Sequence, residues 1–201
     1  HLSIRRQRQM CIRDRLLTIL LAILLASIIR IFLVQLYIIP SESMTPTLNV
    51  SDRVLVLKDD ISNINYGIGE IVVFYHPDTY VDVSPASKLV ESLKVWNYLD
   101  TTSQTVYIKR IIGLPGDVIE IDTLGNIYRN NELLIFKGIL NETFTNQEKY
   151  NVPNDSYFLL GDNRSNSQDS RIFGYVPVQN LIGKAIYVVY PYENIQKLDN
   201  D

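Results

Sequence analysis

Residues 105–121 read TVYIKRIIGLPGDVIEI. Two runs rich in β-branched side chains, Thr105 to Ile112 and Val118 to Ile121, flank Leu114-Pro115-Gly116-Asp117. Proline and glycine at the centre of that tetrapeptide favour a reversal, so the stretch reads as strand, turn, strand. The same pattern recurs on either side: RVLVL at 53–57, IVVFY at 71–75, Ile127 to Arg129, YFLL at 157–160 and AIYVVY at 185–190. Tyr66-Gly67, Gly125-Asn126, Asn130-Asn131 and Gly161-Asp162-Asn163 supply the intervening turn signals. Short strands so punctuated predict a mostly β fold, a compact all-β domain over residues 39–201. One stretch departs from the pattern. Ser84-Pro85 has the form of a helix cap followed by proline at the first helical position, and Leu89, Leu93 and Trp96 fall at i, i+4 and i+7. This predicts one amphipathic helix over 85–98, inserted between two strands, packing on the sheet or touching membrane or substrate.

Ahead of the β region lies an apolar segment. Leu16 to Ile29, LLTILLAILLASII, carries no charge. Its fourteen residues would span about 21 Å as a helix, against a hydrocarbon core of about 30 Å. Arg30 interrupts the run, and IFLVQLYII continues it to Ile39. Residues 16–38 are therefore read as a transmembrane anchor and exit segment. Either Arg30 snorkels while the helix continues, or the helix began further upstream. A cleaved secretory signal is disfavoured because Tyr37, Ile38 and Ile39 leave no small-residue cleavage pattern after the apolar run. Residues 1–15 read as a basic leader. The chain begins with His, and RQMCIRDR at 8–15 resembles translated sequencing-adapter sequence joined to a truncated gene, which would make this leader non-native. If it is native, Arg5, Arg6, Arg8, Arg13 and Arg15 place the N-terminus in the cytoplasm.

The length of 201 residues suits one domain plus an anchor. A net charge of −3 gives no reason to expect nucleic acid as a partner. The single cysteine, Cys11, forms no intrachain disulfide and belongs to no zinc-type cluster. Histidine is scarce, with His1 and His76 alone.

That scarcity bears on the chemistry. Pro40-Ser41-Glu42-Ser43-Met44-Thr45-Pro46-Thr47 follows the apolar segment directly, and its two prolines stiffen the backbone around two serines. It reads as a polar turn at the membrane surface or as a nucleophile loop. A His-assisted serine needs His76, at a strand end running into a turn; a lysine whose pKa is lowered by burial is the other activator. Among the eight lysines, Lys109 lies inside an apolar run and shares a strand face with Tyr107 and Ile111. An ammonium there is desolvated, which favours the neutral amine. The same position also suits a lysine whose stem packs while its head reaches solvent. The third polar stretch, Gly161 to Arg171, GDNRSNSQDSR, follows an apolar strand and reads either as a solvated loop or as a hydrogen-bond scaffold.

Taken together, these stretches resemble the bacterial type I signal peptidases, a Ser/Lys family of proteases. PSESMTPTL at 40–48, SDRVLV at 51–56, YIKRIIGLPGD at 107–117 and GDNRSNSQDSRIFGYVP at 161–177 match the family's motifs in order, behind an anchor. The resemblance implies Ser43 as nucleophile and Lys109 as general base. It implies an oxyanion hole from the Ser43 N–H and the Ser41 hydroxyl, and Ser167 orienting the Lys109 amine. Asp169 and Arg171 would form a structural pair, with Arg110 and Asp162 supporting the site. Tyr37, Ile39, Tyr107 and Ile108 would line pockets for small side chains. It further implies exported preproteins as substrates, cleaved after small residues of Ala-x-Ala type, no metal or organic cofactor, and contact with the lipid bilayer. The enzyme would be a single-pass protein of the inner membrane, monomeric, with its catalytic domain on the outer side. Three departures stand out: Ser51 where the motif usually has Gly, Ser165 where it often has Asp, and a long 76–104 stretch. Three alternatives are a hydrolase based on His76, a Ser/Lys autoprotease of the SOS-repressor kind, which should carry a DNA-binding helical domain where this chain has an anchor, and an inactive membrane-anchored binding module.

Overall fold

The structure is a computed structural model that describes residues 14–25, 33–59, 64–79, 106–137, 139 and 146–198. The predicted helix over 85–98 lies outside them. Among the described residues, twelve strands form two antiparallel sheets. The larger sheet contains β1 (Val34–Ile38), β2 (Arg53–Lys58), β3 (Ile71–Tyr75), β4 (Val106–Gly113), β9 (Ser156–Leu160), β10 (Val176–Pro177), β11 (Leu181–Tyr190) and β12 (Gln196–Lys197). Its order is β1-β2-β11-β3-β4-β9-β10, with β12 pairing to β11. The smaller sheet, β7-β6-β5-β8, is built from β5 (Val118–Ile121), β6 (Ile127–Arg129), β7 (Glu132–Leu134) and β8 (Glu148–Asn151).

The central strands are buried on both faces, which explains why they read as unbroken apolar runs. In β3, Ile71 and Val73 enter one core cluster with Ile39, Met44, Leu48, Val54, Val56 and Ile108. Val72 and Phe74 enter a second, on the other face, with Ile111, Tyr157 and Leu159. A third cluster joins the two sheets: Ile112 of β4 and Phe158 and Leu160 of β9 pack on Ile119, Ile121 and Ile127. β4 thus touches all three cores, and its position in the fold is fixed from every side.

The stretch 16–38, read from the sequence as an anchor and exit segment, is described in part. Residues 14–25 are helical, about 18 Å long at 1.5 Å per residue. Among the described residues no helix is long and apolar enough to cross a membrane. Val34–Ile38 is an edge strand, paired antiparallel with β2 from Val34↔Leu57 to Ile38↔Arg53. The sheet therefore begins before residue 39. Leu36 and Ile38 remain exposed on its outer face while Tyr37 packs toward the first core. Apolar residues on both faces hid the period of two that marks a strand.

Ser51, at the turn between β1 and β2, has φ 73°, the left-handed region. A Cβ is disfavoured there, which accounts for the glycine that the motif usually carries. Replacing Ser51 with Gly is expected to raise unfolding free energy by roughly 0.5–1 kcal/mol, read as a higher urea midpoint with an unchanged slope; a lower midpoint would refute the strain.

Candidate active site

The site forms where β4 outruns its neighbour. Pairing between β4 and β9 begins at Arg110↔Leu160, so Lys109 stands one residue beyond the ladder. There β9 gives way to Gly161 and the polar loop that follows, and the turn carrying Ser43 closes over the same place. Met44 and Leu48 are fully buried and pin that turn to the first core. Within it Thr45 N–H and Thr45 Oγ1 both donate to the Glu42 carbonyl, at 3.1 and 2.7 Å.

Lys109 is 3% exposed. Its Nζ donates to Ser43 Oγ at 2.7 Å, joining residues 66 positions apart. Desolvation pushes the Lys109 pKa down to about 8, against the opposing pull of the Asp169 and Asp162 carboxylates. The magnitude matters: an ordinary lysine is neutral at pH 7 in well under one molecule in a thousand, whereas a pKa near 8 makes roughly one in ten neutral. Ser41 Oγ donates to Ser43 Oγ at 3.3 Å. The Ser43 carbonyl accepts from the Asn163 N–H at 3.1 Å, and the Ser43 N–H has no acceptor among the described residues.

The adjacent residue on β4 faces the other way and is handled in the opposite manner. Arg110 is buried but paired: Nε and Nη2 donate to the two oxygens of Asp162 at 2.8 and 2.6 Å. Nη1 donates to the Gly69 carbonyl at 2.7 Å. Thr47 Oγ1 donates to Asp162 Oδ2 at 2.5 Å, so this ion pair joins the Ser43 turn, β4 and the 161–169 loop. Asp169 caps the short helix Ser170–Phe173, accepts from Arg171 Nε and Nη2 at 2.9 Å each, and accepts from the Gly161 N–H at 3.0 Å. The predicted Asp169–Arg171 pair is thus present and holds the loop against the end of β9.

Other expected residues are placed differently. Ser167 Oγ is buried without a hydrogen-bond partner, so the expected bond to Lys109 is not made. It lies against Gly161: a Cβ built there would meet Ser167 Oγ at 2.1 Å and the Ser43 carbonyl oxygen at 2.6 Å. Glycine is what lets the loop and the Ser43 turn approach so closely. The pocket set divides between two faces. Tyr37, Ile39 and Ile108 share the first core cluster, whereas Tyr107 packs in the second, stacked on Phe74 and near Phe173. Strand alternation separates them, since Tyr107 and Ile108 are neighbours on β4. His76 sits in that aromatic group, 5.3 Å from the Phe173 ring, with Nδ1 accepting from the Asp78 N–H at 3.3 Å. Ser43 Oγ meets Lys109 and Ser41 instead. Asn163 is the residue that sequence reasoning passed over; its role comes from contacts with the Ser43 turn, more than a hundred residues away, which no local pattern encodes.

The family profile described as "Signal peptidase, peptidase S26" matches residues 12–190. "Probable signal peptidase I-2" from Synechocystis sp. is 36% identical over 184 residues, covering 92% of this chain and 76% of its own length. "Signal peptidase I" from Leptolyngbya laminosa is 38% identical, covering 90% of this chain and 81% of its own. "Signal peptidase I P" from Bacillus subtilis subsp. natto is 29% identical, covering 89% of each. The chain belongs to the peptidase S26 family, as a bacterial type I signal peptidase and hence a serine endopeptidase.

Removing Asp162 leaves the Arg110 guanidinium buried without its carboxylate. Asp162→Ala is expected to cost about 3–5 kcal/mol of stability in chemical denaturation; a loss under about 1 kcal/mol would show that the pair does not hold the three segments together.

Proposed function

We propose that this chain removes signal peptides from exported preproteins at a membrane surface, with Ser43 as nucleophile and Lys109 as general base. The observation that carries the reading is the 2.7 Å contact between Lys109 Nζ and Ser43 Oγ, made by an amine whose pKa burial has lowered to about 8. The charged ammonium donates to the hydroxyl in the resting state. Once neutral, the amine accepts the Ser43 proton as Oγ attacks the scissile carbonyl. The oxyanion is held by the Ser43 N–H and the Ser41 hydroxyl. The same lysine hands its proton to the leaving amine, then activates water to release the acyl-enzyme. Substrates carry small residues, of Ala-x-Ala type, before the cleaved bond, and Tyr37, Ile39, Tyr107 and Ile108 shape the surfaces that receive them. The apolar N-terminal segment anchors a monomer by a single span in the bacterial inner membrane, with the sheets on the outer side. Leu36 and Ile38, exposed on the outer face of β1, suit that placement beside lipid.

The test is cleavage of a purified preprotein with an Ala-x-Ala site in detergent. Ser43→Ala and Lys109→Arg are each expected to lower kcat/KM by about a thousandfold or more, because arginine has no accessible neutral form. His76→Ala is expected to cut at close to the parental rate. Near-normal cleavage by Lys109→Arg would remove lysine from the mechanism. If the parent never cuts, the binding-module reading takes over.

The pH dependence has a definite sign. The active form is the neutral amine, so kcat/KM rises with pH, tenfold per unit below the Lys109 pKa of about 8, and levels above it. A profile flat from pH 6 to 9 would contradict a lysine base.

A further inference from the structure

Asn163 clamps both peptide planes that flank the Ser43 Cα. Its backbone N–H donates to the Ser43 carbonyl at 3.1 Å, which fixes the plane after Ser43. Its side-chain Nδ2 donates to the Glu42 carbonyl at 3.1 Å, which fixes the plane before it. The Glu42–Ser43 peptide is a planar unit that contains both the Glu42 carbonyl and the Ser43 N–H. Holding the carbonyl therefore sets the direction of the N–H. Nδ2 also donates to Thr45 Oγ1 at 3.1 Å, tying the amide to the far side of the turn. Ser165 Oγ donates to Asn163 Oδ1 at 3.2 Å, so the carbonyl end of the amide is taken and the NH2 end faces the turn. Ser165 is the position at which the closing motif often carries Asp, a group that has no proton to donate when ionised.

We infer that Asn163 is a positioning residue for cleavage: it aims the Ser43 N–H at the oxyanion and holds the Ser43 backbone in the attacking geometry, with Ser165 orienting its amide. The inference rests on the reading of Ser43 as nucleophile. Thr45 N–H and Oγ1 hold the Glu42 carbonyl from within the turn, and the Asn163 amide holds it from the facing loop; Asn163 does not touch the Lys109 amine, so its removal loosens the oxyanion donor from that side without changing the base. Small misplacements at this level cost about one to two powers of ten in rate.

The experiment measures kcat, KM and the pH profile of the full chain on an Ala-x-Ala preprotein for Asn163→Ala, Asn163→Asp, Ser165→Ala and Ser43→Ala, with thermal midpoints for each. Asn163→Ala is expected to lose about ten- to a hundredfold in kcat, with KM within about threefold and the rising pH limb unmoved. Asn163→Asp keeps the shape but sets acceptors against the Glu42 carbonyl, and is expected to fall at least as far. A role in packing alone would tolerate that near-isosteric change. Ser165→Ala is expected to lose a few-fold in kcat. The inference is overturned by kcat within twofold of the parent in Asn163→Ala and Asn163→Asp, by a loss confined to KM, or by a displaced pH midpoint in Asn163→Ala, which would mean action through Lys109. Cleavage retained by Ser43→Ala defeats the underlying reading; an inert Ser43→Ala beside a normal Asn163→Ala defeats this inference alone.

Discussion

Keeping an amine dry is the constraint on which the site depends. A pKa lowered from 10.5 to about 8 corresponds to about 3 kcal/mol of disfavoured ammonium, a sizeable share of the stability of a small domain. A flexible loop would relieve that cost by letting the lysine swing to water. β4 prevents it. Ile108 is packed in the first core, Ile111 in the second and Ile112 in the third, so the strand neither rotates nor slides. Lys109, between them, has no low-energy route to solvent, and Ser43 Oγ is the polar atom placed within its reach.

The next residue shows the other way to bury a cation. Lys109 and Arg110 occupy successive positions on one strand and so point to opposite faces. Lys109 is left without a carboxylate in contact, and burial weakens its preference for the charged form. Arg110 is given Asp162, the Gly69 carbonyl and Thr47 as partners. The two environments divide the work. The paired arginine ties together three chain segments, while the lysine beside it meets the Ser43 hydroxyl. Because Thr47 and Asp162 are partners in that tie, the structural ion pair also sets where the Ser43 turn and the 161–169 loop meet.

Much of this was legible in the sequence, and the misses have physical causes. β3, β5 and β6 were read at their observed limits because turn-forming residues bracket them closely. β1 was read as part of an anchor, since an apolar edge strand with exposed Leu36 and Ile38 carries no alternation to distinguish it from a helix. β7 and β8 were missed because Glu132, Glu148 and Lys149 make them polar and short, and their pairing comes from β6 and β5 rather than from their own composition. The pairing of Ser43 with Lys109 was legible as two unusual neighbourhoods and an ordered set of motifs. The lack of a Ser167 bond to Lys109, and the grip of Asn163 on the turn, depend on distances between residues far apart in the chain.

The arrangement also explains why the polar loop is so rich in short side chains. It must approach the Ser43 turn closely enough for Gly161 to touch the Ser43 carbonyl, a gap that any Cβ would close. A long acidic side chain there would reach the amine and stabilise its charge. Asp169 instead spends its oxygens on Arg171 and on the Gly161 N–H, and Asp162 spends its own on Arg110 and Thr47. Both carboxylates raise the affinity of Lys109 for its proton, and both are kept from forming the contact ion pair that would restore an ordinary lysine. Arg110 and Arg171 thus bear on Lys109 indirectly: each holds a carboxylate that would otherwise pair with the ammonium and stabilise its charge.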